Sequence, residues 1–420
     1  MAIAAVVLFV GLFRMRAAVY VWIVLVGLLT PPLYTLRSGT VRVGAVILGG
    51  LLIESGLRRR KSLSSLRASR LAVPLGVLTG IAVLSCAQGI LFYDPNVAGS
   101  HRQLAAEIYA TLLYGLSVAA CILVATQIDS RTALERACMA ILIAGVATLF
   151  VKDAVPIPWW PLLVTHGTAL IYAGLLFAPP KSLRVQTAAC GLVVFAVVEV
   201  IGQSFFGPST TQWVSGWIVL GGTLIVITAI RFGWRLLPVA LVLGAVGAVA
   251  FQGQLQRMVE IARQEGDLLR YQLWIDAFRV MSHRPLLGVG PGNYLDYVLS
   301  YGANAFSSAH GNYQQVVAET GVLGLAALTW VLWRSFGVAW KLYRRTDDPI
   351  LRAVTVGIIG ALAGVAAASV VGDYLIPVYH NGGHTTFTTT VYTWIMMGLL
   401  VTIEGLLERV TPAISKSSDA

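Results

Sequence analysis

Charge is scarce in this chain. Of 420 residues only 12% are Asp, Glu, Lys or Arg, about half the usual share in soluble domains. Meanwhile 57% are hydrophobic and the mean hydropathy is +0.77. This deficit excludes an ordinary soluble enzyme and implies an all-α polytopic membrane protein. Cysteine is also rare. Cys86, Cys121, Cys138 and Cys190 lie in or beside apolar runs with no CxxC spacing, so they read as small packing residues and supply no metal site. No basic tail exists either. The net charge of +11 comes from Lys and Arg in short connections between apolar runs, which is a topology signal and argues against a nucleic-acid partner.

What is abundant is apolar length. A spanning helix needs about 20 mostly apolar residues. Candidates are 17–34, 40–57, 71–92, 104–126, 134–151, 158–178, 183–203, 212–231, 234–252, 318–340, 350–371 and 386–407, or about twelve spans. The opening MAIAAVVLFVGLF is too short to span before Arg14, and its charges follow the apolar stretch, unlike those of a cleavable signal peptide. If the segment from Arg58 to Arg70 is cytoplasmic, alternation also makes cytoplasmic the connections holding Arg14 and Arg16, Arg131 and Arg136, Lys181 and Arg184, Arg231 and Arg235, Arg334 to Arg352, and the tail. The other side then holds only Arg37, Arg42, Arg102 and Lys152 outside one long loop. This bias puts both termini in the cytoplasm and the loop on the outer face. The expected organisation is a membrane bundle over 1–252 with spans 1–9, an outer-face catalytic loop over 253–317, and spans 10–12 with a cytoplasmic tail over 318–420. The loop lies between spans 9 and 10.

The loop belongs to the one long polar interruption, Gln252 to Glu319, which holds Arg257, Arg263, Arg270, Arg279, Arg284, His283 and His310. Residues 253–282 lack proline, and Leu269, Leu273 and Ala277 recur at spacing four, which predicts an amphipathic helix along the outer interface. Pro285 stops it. Gly288, Gly290 and Gly292 with Pro291 predict a tight irregular loop, and the next helix is expected to begin near Asn312.

Several side chains here can do chemistry. His310 reads either as a hydrogen-bonded interfacial histidine or as a general base, since imidazole accepts a proton near neutral pH. Arg270 and its neighbours fit phosphate oxygens, or else snorkel to headgroups and pair with Asp267 or Glu265. GVGPG at 288–292 does not match GxGxxG and reads as a turn, not a nucleotide site. In the connection from Gly372 to His384, His380 and His384 would ligate a metal only on a helix, which Gly382 and Gly383 oppose, so no metal is expected. Asp373, Tyr374 and Tyr379 there are candidate sugar contacts. Glu199 is costly in lipid and is expected to face the bundle or a cavity.

Four motifs occur in order: Arg270-x-x-x-Trp274; His283-Arg284-Pro285-Leu286-Leu287-Gly288-Val289-Gly290-Pro291-Gly292-Asn293-Tyr294; Ala309-His310-Gly311-Asn312-Tyr313; and Ala318-Glu319-Thr320-Gly321. Together they resemble the O-antigen ligase and Wzy-type polymerase superfamily. The resemblance implies a GT-C-like, metal-independent glycosyltransferase of the bacterial inner membrane with its active site facing the periplasm. It needs no cofactor. Its donor would be an undecaprenyl-diphosphate-linked glycan and its acceptor a saccharide or a lipid-linked molecule, in a membrane setting shared with other polysaccharide-assembly proteins. By position, His310 would activate the acceptor hydroxyl and Arg270 would hold the diphosphate. Trp274, Tyr294, Asn312, Tyr313, Asp373 and Tyr379 are the candidate glycan contacts.

The sequence departs from the family pattern twice. The region from Gln203 to Trp213 lacks the arginine often found near the start of span eight, and Gly311 separates His310 from Asn312. Arg263, Arg279 or Arg284 would then supply the second charge on the diphosphate. These departures favour an exopolysaccharide or O-antigen polymerase over a ligase that moves glycan to lipid A core. A lipid-linked sugar transporter or flippase would show polar residues over many spans and internal symmetry, which this chain does not display.

Overall fold

Apolar runs of this length can only be accommodated as helices packed side by side, and a computed structural model shows how they pack. It describes residues 2–28, 32–36, 39–58, 69–97, 104–154, 160–206, 214–236, 270–302, 308–381 and 383–417, with isolated positions elsewhere. The order is α1 (Ala2–Leu28), β1 (Pro32–Leu36), β2 (Gly39–Arg42), α2 (Val43–Arg58), α3 (Ala72–Leu91), α4 (Leu104–Gln127), α5 (Arg131–Val151), α6 (Trp160–Phe177), α7 (Leu183–Phe206) and α8 (Val214–Phe232). Then come α9 (Arg270–His283), α10 (Tyr294–Tyr301), α11 (Asn312–Arg345), α12 (Pro349–Ala368) and α13 (Gly383–Ser417).

Eight of these, α3 to α7 and α11 to α13, are long and apolar enough to cross a membrane, and shorter apolar stretches lie at Ala45–Ser55 and Gly216–Phe232. The expected all-α polytopic membrane class is what the chain adopts. The candidate span 234–252 lies almost wholly outside the described residues, as does most of 253–269.

The N-terminal boundaries differ from expectation. α1 begins at Ala2 and bends at Arg14, where φ is −140° and ψ 70°, so the opening residues are helical and continue into the first span. That span stops at Leu28, short of 34. A two-stranded antiparallel hairpin follows, with Pro32 opposite Arg42 and Leu36 opposite Gly39. Pro32 has no N–H for a helix, and Thr35, Thr40 and Val41 are β-branched, which suits strands.

Helix starts follow local chemistry. The Asp348 carboxylate accepts from Ile350 N at 2.9 Å and Leu351 N at 3.1 Å, with Pro349 opening α12, a capped and preorganised start. Ser130 caps α5 through Ala133 N at 3.3 Å. α13 forms the centre of the bundle, with 83% of its apolar window buried against 17% for α7. Trp394, Tyr392 and Phe387 are fully buried on it, whereas α7 leaves its apolar side chains for lipid.

The connections sort to two ends. At one, Arg16 pairs with Asp129 and Arg131 with Asp348, and Ser69 Oγ donates to Glu404 at 3.1 Å. At the other, Lys152 pairs with Glu199 at 3.1 Å, so Glu199 faces a neighbouring element of the bundle. The loop between α9 and α10 is at this second end, packed on the ends of α3 and α4.

Candidate active site

The loop after α9 is built into a break in α11. Gly321 has φ 68° and ψ −171°, which interrupts the helix and strips several of its backbone groups of their usual partners. The loop replaces them. Val289 N donates to Ala318 O at 3.1 Å and Gly290 N to Glu319 O at 2.9 Å. Val322 N donates to Pro285 O at 2.9 Å. Only glycine fits at this splice: a Cβ on Gly321 would lie 2.2 Å from Leu286 O, and one on Gly288, at φ 69°, would lie 2.4 Å from Glu319 C. α3 clamps the other side. Ser85 Oγ donates to Glu319 O at 2.7 Å, and Gln88 Nε2 donates to Gly288 O at 2.9 Å. The glycine run is thus a backbone-bonded turn, as expected.

Glu319 ties the splice together through its side chain as well. Its Oε1 accepts from Gly292 N at 3.0 Å and from Gln315 Nε2 at 2.9 Å. Gln315 in turn accepts from Ala309 N at 3.0 Å, which carries the linkage to the residue before His310.

His310 precedes α11 in the left-handed region, with φ 48°. It is among the residue types that tolerate this conformation. Its backbone N donates to Ser308 Oγ at 2.9 Å, and Ser308 Oγ donates to Asp373 Oδ2 at 2.7 Å. Asn381 Nδ2 donates to the same oxygen at 2.7 Å. The imidazole is half-buried on a tightly fixed backbone. Gly311 next to it is required by close approach: a Cβ would meet Val370 O at 2.6 Å. Asn312 N donates to Ser369 O at 2.8 Å, so α11 starts directly against the connection between α12 and α13. The helix begins at Asn312, as expected.

The other candidates are distributed unevenly. Asn312 is fully buried, its Nδ2 donating to Ile376 O at 2.8 Å and its Oδ1 accepting from Ile376 N at 3.1 Å. Tyr313 Oη donates to Ala366 O at 2.9 Å. Tyr379 is buried edge-on against Tyr109 at 6.0 Å. In this structure Asn312 and Tyr313 hold the 366–376 segment. Tyr294 and Trp274 are different: Tyr294 Oη and Trp274 Nε1 are buried and, among the described residues, have no hydrogen-bond partner. Burial, with the carboxylates of Asp276, Asp373 and Glu319 within electrostatic reach, pushes the Tyr294 hydroxyl well up from its usual range. It therefore stays a neutral donor.

Of the arginines, Arg270 opens α9, with its side chain beyond what the structure describes, and Arg263 lies outside the described residues altogether. Arg279 Nη1 donates to Asp276 Oδ1 at 2.7 Å, and Arg284 Nη1 donates to Gln88 O at 3.1 Å. Each is anchored by one donor and keeps others. His380 Nε2 donates to Gly292 O at 2.7 Å, and burial pushes its pKa down. It precedes α13, whereas His384 lies in that helix's first turn, so the two share no helical face.

Sequence reasoning did not assign roles to Ser308, Asp276, Gln315, Glu319 or Asn381. Only Glu319 had a visible signal, a carboxylate two residues before a glycine. Ser308 acts through Asp373, distant in the chain, and Asp276, Gln315 and Asn381 pair with near neighbours in patterns too common to mark them.

This arrangement, a half-buried histidine on a rigid turn beside a loop spliced into a membrane helix, defines a polytopic membrane protein with a site at one end of its bundle. Residues 204–329 match the family model described as O-antigen ligase, and that interval contains α9, the splice and His310. The chain is also 31% identical over 106 residues to the O-antigen ligase of Pseudomonas aeruginosa, a stretch covering 25% of this chain and 26% of the relative. The chain thus matches about a quarter of the length of that curated relative. The resemblance drawn from the motifs is borne out over this region, which is similar to the O-antigen ligase family model and to that relative.

Proposed function

We propose that the chain transfers a glycan from an undecaprenyl-diphosphate carrier to an acceptor hydroxyl at the outer face of the bacterial inner membrane. The observation that carries this reading is the coincidence of the family match with the spliced loop and His310. In the proposed step the acceptor oxygen forms a bond to the anomeric carbon as its proton passes to the imidazole of His310. The bond from that carbon to the diphosphate oxygen breaks, and the carrier diphosphate leaves with the electron pair. Arg270 stabilises its growing charge. A diphosphate is already a good leaving group, so one base and fixed positive charge suffice.

Two acceptors fit this chemistry. The descriptions of the family model and of the Pseudomonas relative favour a ligase, whose acceptor here would be lipid A core. The missing arginine between Gln203 and Trp213 favours a polymerase adding to another lipid-linked repeat unit. Of the candidate glycan contacts, Trp274 Nε1 and Tyr294 Oη are buried donors with no partner among the described residues and would donate to sugar hydroxyls. Glycans from a deletion strain separate the readings: long polymer stranded on the carrier indicates a ligase, single repeats a polymerase. Complementation with His310→Ala and Arg270→Ala tests the site. Unchanged product yield and length with both variants would show that the residues are wrongly assigned.

A further inference from the structure

At the opposite end of the bundle from His310 lies a cavity lined by three arginines. The tie between Arg131 and Asp348 places the start of α5 beside the C-terminal end of α11, whereas His310 precedes the N-terminal end. α11 runs for 34 residues, about 50 Å along its path at 1.5 Å per residue. A cavity of about 690 Å³ opens at the α5 end, walled by Arg14, Arg16, Arg136, Gln127, Ser55 and Thr132.

Three guanidinium groups line this one cavity, but only Arg16 has a carboxylate, that of Asp129. Arg14 and Arg136 have no ion pair or hydrogen bond among the described residues. Neighbouring Arg131 by contrast is held by both Glu135 and Asp348. Arg14 sits at the bend of α1, where the helix departs from its regular path at the cavity wall. The N-terminal turn of α5 adds Thr132, and its dipole favours negative charge. Gln127, almost wholly buried, donates to Ser55 Oγ at 2.6 Å and completes a polar floor. The forked guanidinium donors of Arg14 and Arg136, on one cavity and not engaged by carboxylates among the described residues, match phosphate oxygens. Phe13 and Met15 add apolar surface on the same rim.

We infer that this cavity binds a phosphate group, carried on an anionic phospholipid or free in solution, through Arg14 and Arg136.

The test uses the full-length protein in nanodiscs and in detergent. Native mass spectrometry would measure retention of phosphatidylglycerol against phosphatidylcholine, and thermal shift would measure protection by inorganic phosphate. The variants are Arg14→Gln/Arg136→Gln, the single Arg136→Gln, and Arg131→Gln as an exposed control. Phosphatidylglycerol retained in preference to phosphatidylcholine, and reduced about tenfold by the double variant but not by the control, supports a lipid headgroup. Protection by inorganic phosphate that disappears in the same variants supports a soluble phosphate. Equal retention by wild type and variants, or no preference for either phosphate probe, overturns the inference. If the double variant does not fold, the single Arg136→Gln, at an exposed side chain, carries the same comparison and must show a reduction of at least threefold.

Discussion

At His310 a single residue combines an unusual backbone and the chemistry proposed for it, and the two can be separated. Asn also tolerates φ near 48°, so His310→Asn keeps the backbone bond to Ser308 while removing the imidazole. The expected result is a melting temperature within a few degrees of wild type and a transfer rate lower by about 10²–10⁴-fold, the usual range for a general acid–base group. Transfer from a purified lipid-linked donor, measured beside a melting curve, reads both. Ser308 should behave differently. Its hydroxyl joins the His310 backbone to Asp373, so Ser308→Ala leaves a buried carboxylate short of a partner and should cost about 1–3 kcal/mol. Its effect on rate should be smaller than that of His310→Asn, because the imidazole remains. A Ser308→Ala protein as stable as wild type would show that this bridge does not hold the turn.

The splice between α11 and the glycine loop is the element on which the site is built, and glycines within α11 provide their own control. Gly321→Ala places a side chain at φ 68° and ψ −171°, a region held almost only by glycine, which costs about 1–3 kcal/mol, and drives its Cβ into the Leu286 carbonyl. Gly337, on the same helix, has open space around the position a Cβ would take, so Gly337→Ala should be neutral or stabilise by up to about 1 kcal/mol through helix propensity. Melting curves in detergent should therefore move in opposite directions or by clearly different amounts. The loop's second tie, His380 to Gly292, predicts a pH effect. Burial lowers the folded pKa of His380, so its stabilising contribution is present above the unfolded value of about 6.5 and is lost as pH falls through the folded value. Melting temperature should fall on acidification below about pH 6.5, with a shallower fall in His380→Gln; identical slopes would remove His380 as a contributor. The helix stop at Pro285, the turn at Gly288 to Gly292 and the start at Asn312 were all legible in the sequence, because proline and glycine act locally, Gly311 standing directly before Asn312. The splice was not, since it depends on Glu319, Ser85 and Gln88 meeting residues far away in the chain. α10 was also unforeseen: Tyr294 to Tyr301 is too short for a periodic signal to stand out from its surroundings.

For the whole molecule, charge does what apolar length alone cannot: it distinguishes the two ends. The connections grouped by their Lys and Arg content in the sequence are also those that touch in space, as in the pairs Arg16–Asp129 and Arg131–Asp348. The hairpin at 32–42 escaped this reading because apolar runs flank it closely on both sides, and only its proline and β-branched residues set it apart. The paired ends lead to a direct test of orientation. Asn96 is exposed near the His310 end, where Tyr301 Oη donates to Asp94 at 2.9 Å, and Asp347 is exposed at the other, beside Arg352 at 3.5 Å. Cys86, Cys121 and Cys138 are buried and Cys190 is exposed, so Cys190→Ser leaves a background with low reactivity. In that background, Asn96→Cys should react with a membrane-impermeant maleimide in cells whose inner membrane is intact, and Asp347→Cys should react only after permeabilisation. The backbone N–H of residue 96 that supports Asp94 survives this substitution. The opposite labelling pattern would place His310 in the cytoplasm, where a carrier-linked glycan displayed on the outer face could not reach it, and the proposed transfer reaction would have to be abandoned even if the family relationship stood.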